Sequence, residues 1–232
     1  MSWVAIIFFS ETGLCLAIQM VNLVLLYRVK HKTATDLLAV HLTCVQTMLC
    51  ATNVVLFKNL KVGQTRVEFS LCASLNLVQV LIFVTITIDR VVAVKQADRY
   101  TRVLQTRKMA RILMLIWGMS IFYGAVQMGF NDSKSAYRIL ITCDAALLAL
   151  FVFGYTYVVF KVNFSRVDTP YCAQMWSVII YLYFSFLTTL AVFFGFTISH
   201  VHYLVWTLTY LLVAMVYSCV LKTACHVYQQ AV

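Results

Sequence analysis

The chain has 232 residues, 62% of them hydrophobic and only 11% charged, with a mean hydropathy of +0.88. A water-soluble domain carries about twice that share of charged residues, so the composition excludes an ordinary soluble fold and predicts an integral membrane protein. The formal net charge of +10 reads as loops facing an anionic lipid leaflet and not as a nucleic-acid surface.

Seven apolar runs follow in chain order. Span 1 covers 3–27 and contains Glu11; MSWVAIIFFS lacks a basic leader and a small-residue cleavage site, so it reads as span and not as signal peptide. Span 2 covers 37–57 and span 3 covers 69–88, both without charge. Asp89-Arg90 opens a basic loop with Lys95, Arg99, Arg102, Arg107, Lys108 and Arg111. Spans 4 to 7 cover 112–130, 139–160, 171–198 and 201–221. Each run is long enough to cross as a helix, and none alternates strictly as barrel strands of about 9–11 residues do. The expected fold class is therefore all-α: a seven-transmembrane-helix bundle forming one domain over residues 1–232. The single proline, Pro170, falls between spans, so no span is expected to kink at proline.

Loop charge predicts the orientation. With seven spans, 13 of the 18 Lys and Arg fall on one side and 5 on the other. The richer side is expected in the cytoplasm, which puts the N-terminus outside and the C-terminus inside. Asn131-Asp132-Ser133 is then an extracellular glycosylation sequon, and Asn163-Phe164-Ser165 a cytoplasmic one.

Polar residues within the spans are the candidates for function, because lipid offers them no partner. Cys72, Asn76, Gln79, Phe83 and Arg90 recur at helical spacing and share one face of span 3. Gln79 is expected to pair with Gln46 of span 2, as glue between helices. Asp144 lies a turn or so inside span 5, where a carboxylate needs a partner or water; a cationic ligand group and local pairing with Arg138 are both open. Tyr203 and Thr207 stand four apart on span 7 and could close the same region, or simply pack. The eight cysteines show no metal-binding spacing and read as small hydrophobes within the spans. No catalytic constellation appears, so no enzyme, cofactor or metal is expected.

Asp89-Arg90-Val91 at the end of span 3, Tyr100 in the loop after it and Trp117 in span 4 resemble the rhodopsin-like (class A) G-protein-coupled receptors, whose third helix ends in D/E-R-Y. Asn22 in span 1, the segment Asp36 to Leu42 opening span 2 and Tyr217 in span 7 fit the same pattern. The resemblance implies a multi-pass plasma-membrane receptor that binds an extracellular ligand and signals through a heterotrimeric G protein. It further implies that Asp89, Arg90 and Tyr217 form the coupling switch, that Cys72, Asn76, Asp144, Tyr203 and Thr207 face the ligand, and that Asn22, Gln46 and Gln79 make the polar core. The chain departs from the family at several points. Gln46 stands where the family has a sodium-holding Asp, Phe184 to Leu190 lacks the C-W-x-P motif, and Val213 to Tyr217 lacks Asn-Pro. These departures imply a second expectation: a non-signalling or decayed receptor-like protein acting as decoy or trafficking partner. A retinal-binding pump is disfavoured, because the only Lys near span 7 is Lys222, at its cytoplasmic end.

Overall fold

The computed structural model describes residues 3–28, 34–59, 66–95, 106–130, 134–161, 178–187, 190, 205, 207–216 and 218. Among the described residues there are seven helices and no strand. Five are long: α1 (Trp3–Arg28), α2 (Ala34–Asn59), α3 (Arg66–Lys95), α4 (Thr106–Phe130) and α5 (Lys134–Lys161). Two are shorter: α6 (Val178–Leu187) and α7 (Thr207–Val216). Trp3–Tyr27, Asp36–Lys58, Ser70–Asp89 and Arg107–Gly129 are each long and apolar enough to cross a membrane.

Helix is the form these residues take because a backbone in hydrocarbon must satisfy its own N–H and C=O groups. The hydroxyls follow the same logic. Thr12, Thr43, Thr52, Ser74, Thr85 and Thr87 each donate back to the carbonyl four residues earlier, at 2.8–2.9 Å. Such residues can sit in apolar runs without a partner on another helix.

The helices overrun the apolar segments. Asp89-Arg90 does not open a loop; α3 continues through it to Lys95. Likewise α4 begins at Thr106, taking in Arg107, Lys108 and Arg111 as exposed residues, and α5 begins at Lys134. Hydropathy marks where lipid contact ends, whereas a helix ends where the backbone is broken, and no Gly or Pro occurs between Phe69 and Lys95.

The core is assembled around α3, which packs broadly against α2 and α4 and also touches α5. α1 lies against α2 in antiparallel register: Phe8 stacks on Phe57, Cys15 meets Cys50 and Gln19 meets Gln46. The α3–α4 contact is close because Gly124 has no side chain. A Cβ there would overlap Ser74 Oγ and lie 3.0 Å from the Ser70 carbonyl oxygen. Small residues that let backbones approach are the usual basis of helix packing in lipid. Away from these seams many large apolar side chains among the described residues face outward. Trp3, Leu115, Phe122, Phe153 and Phe160 are each at least 66% exposed. Apolar exposure on this scale suits acyl chains and not water. With four helices able to span, the chain is a multi-pass membrane protein.

Candidate functional site

The polar side chains of the bundle fall into three levels, starting from the end where α1 begins. At the first level Asn76 of α3 is the hub. Its Oδ1 accepts hydrogen bonds from the Tyr181 hydroxyl of α6 and the Tyr210 hydroxyl of α7, each at 3.1 Å. Its Nδ2 donates to the Cys72 sulfur at 3.5 Å, and the Cys72 thiol reaches Asn53 Oδ1 of α2 at 3.9 Å. Tyr210 also meets Asn53, and Tyr181 meets Ser185. The rings reinforce the arrangement: Tyr181 lies edge-on to Phe83, centroids 5.5 Å apart, and 6.1 Å from Tyr210. The Asn76 amide joins α3 to α6 and α7, and the Cys72 thiol carries the network on to α2.

At the second level Gln19 of α1 donates to Gln46 of α2, and Asn22 of α1 donates to the Ala214 carbonyl of α7 at 3.4 Å. Gln46 therefore pairs with Gln19 and not with Gln79 as the sequence suggested. Gln79 is fully buried on α3, and neither of its amide atoms has a partner among the described residues. Both glutamines of α1 and α2 sit on buried stripes that face each other, and that contact settles the competition for Gln46.

At the third level the Trp117 indole N–H of α4 donates to His41 Nδ1 of α2 at 3.3 Å. Tyr155 of α5 meets Thr87 of α3, and two residues further along α3 Asp89 is completely buried. A carboxyl group without solvent contact where the apolar stretch of α3 ends is enclosed by the bundle, since hydrocarbon offers it no partner.

Of the residues singled out from the sequence, Cys72 and Asn76 come together, and Thr207 is buried one turn before Tyr210 on the same face of α7. Asn22 and Gln46 both engage a neighbouring helix. Arg90 lies on α3 and Asp144 on α5, but their side chains are outside what the structure describes, and Tyr203, Tyr217 and Asn131 lie outside the described residues. Tyr181, Tyr210, Asn53 and His41 were missed as participants. The available signal was a phenol, amide or imidazole inside an apolar run, which must find a partner for its polar tip. Among the described residues no group of three His, Cys, Asp or Glu side chains could hold a metal ion. No family model matches the chain, and no curated protein matches its sequence.

Proposed function

We propose that this chain is a seven-span receptor of the rhodopsin-like kind, in the plasma membrane with its N-terminus outside and its C-terminus inside. An extracellular ligand favours one packing of the bundle, and the cytoplasmic end of α3, carrying Asp89 and Arg90, then recruits a heterotrimeric G protein. The ligand enters from the end where α1 begins, near Cys72, Asn76, Asp144, Tyr203 and Thr207. Tyr217 swings towards Arg90 as the packing changes, and Asn131 carries a glycan. The coupling is a population shift between two helix arrangements.

The observation that carries this reading is the burial of Asp89 at the far end of the helix whose other half holds the Asn76 hub. A single rigid element thus bears a polar junction with α6 and α7 at one end and an acid–arginine pair at the other. A ligand that alters the junction has a mechanical route to that pair.

The test is basal and ligand-stimulated G-protein activation in cells, comparing the native chain with Arg90→Ala at matched surface expression. The receptor reading expects activation that the substitution abolishes. Equal activation by both proteins would overturn the role given to Arg90.

A second reading, a receptor-like protein that does not signal, is favoured by one feature. The Asn76 amide ties α6 and α7 to α3, while α6 carries neither the Trp nor the Pro that would let it bend. If the native chain is silent with every G-protein class and restoring the helix 6 and helix 7 motifs produces activity, this second reading holds.

A further inference from the structure

The α1–α2 seam holds two free thiols face to face. Cys15 is 0% and Cys50 1% exposed, and their sulfurs lie 3.4 Å apart, with the Cys50 thiol donating to the Cys15 sulfur. The pair is flanked on one side by the Phe8–Phe57 stack and on the other by the Gln19–Gln46 amide bond, and Gln19 also hydrogen-bonds Cys15. We propose that Cys15 and Cys50 form an intramembrane redox site, a dithiol that a small neutral peroxide converts to a disulfide stapling α1 to α2.

The geometry is close to what the bond needs. A disulfide holds its sulfurs about 2.05 Å apart, so a closure of about 1.4 Å from the observed 3.4 Å is required. α1 lies at the edge of the bundle with much of its surface on lipid, so it has room to approach α2. The flanking contacts hold the register that sets the two sulfurs against each other. Both thiols are closed to water, which restricts the oxidant to one that is uncharged and soluble in the bilayer. The chemistry balances in two steps. One sulfur attacks the peroxide, the O–O bond breaks, one water leaves and a sulfenic acid forms. The second sulfur then displaces the hydroxyl as a second water, so two S–H bonds are replaced by one S–S bond and two electrons pass to the peroxide. The neighbouring thiol is already in contact, which places it to intercept the sulfenic acid before further oxidation.

The experiment uses the full chain in phosphatidylcholine vesicles treated with hydrogen peroxide, then unfolded, alkylated with N-ethylmaleimide and digested with trypsin. Cleavage after Arg28 and Lys32 and after Lys58 separates fragment 1–28, which carries Cys15, from fragment 33–58, which carries Cys44 and Cys50. The proposal expects these fragments to be joined, lighter by two hydrogens than their sum, and to separate on reduction. Fragment-ion mapping in the native chain places the link at Cys50. The link persists in Cys44→Ser and disappears in Cys50→Ser. A link through Cys44 overturns the proposal. So does full alkylation of both sulfurs after peroxide, or their conversion to sulfinic acid without linkage.

Discussion

Replacing Asn76 with alanine removes the one acceptor shared by two buried phenols. Tyr181 and Tyr210 are 2% and 1% exposed, so water cannot replace the amide oxygen without opening the bundle. An orphaned buried donor in a soluble protein costs about 1–3 kcal/mol. In a bilayer the figure is smaller, about 0.6 kcal/mol per bond and at most about 1.7, because the unfolded helices also find partners. The membrane value governs here, and Tyr181 keeps Ser185 within reach while Tyr210 keeps Asn53. Two bonds therefore predict a loss of about 1–3 kcal/mol. The assay is SDS-driven unfolding in mixed micelles, followed by tryptophan fluorescence. A thermodynamic cycle isolates the bonds: in a Tyr181→Phe, Tyr210→Phe background, Asn76→Ala is expected to cost less than about 0.5 kcal/mol, because the coupled donors are gone. Equal losses in both backgrounds would refute the hub, since the effect would then come from packing alone.

Three further outcomes are expected. Gly124→Leu forces α4 off Ser74 and Ser70 and lowers thermal stability by several degrees or abolishes expression, whereas Gly118→Leu, which has open space around it, leaves both unchanged. Gln46→Leu alone strands the Gln19 amide and destabilises the SDS unfolding transition by about 1 kcal/mol, and adding Gln19→Leu recovers most of that loss because no polar group is then left without a partner. Trp117→Phe removes the donor to His41 at a cost of about 0.6 kcal/mol, and in a His41→Phe background the same change costs distinctly less in the same titration.

The apolar runs made the helices legible, and their ends were not. Composition reports where the chain leaves lipid, so Asp89-Arg90 looked like the start of a loop, yet nothing in the backbone stops α3 before Lys95. The face of α3 was legible from spacing: Cys72, Gln79 and Phe83 are all buried, with Asn76 between them. Which polar group meets which was harder to read. Gln46 had two amides to choose from, and the choice depended on how α1 docks against α2, a tertiary fact that no local pattern encodes. Tyr181 and Tyr210 could not be singled out, because spacing within one helix does not reveal an acceptor on another. Cys15 and Cys50 looked like two small apolar residues until the antiparallel register set them opposite each other.

That register has a consequence for assembly. Two apolar helices in a bilayer gain nothing from expelling water, so they could slide along each other among near-equal alignments. Here a ring meets a ring, a thiol a thiol and an amide an amide at successive heights along α1 and α2. A slip of one turn, about 5.4 Å, would set Cys15 against Val54 or Gln46, and Gln19 against Leu42 or Cys50, losing all three matches together. The seam works as a spelled address: newly inserted helices can be misaligned in many ways, but only one alignment reads correctly along its whole length.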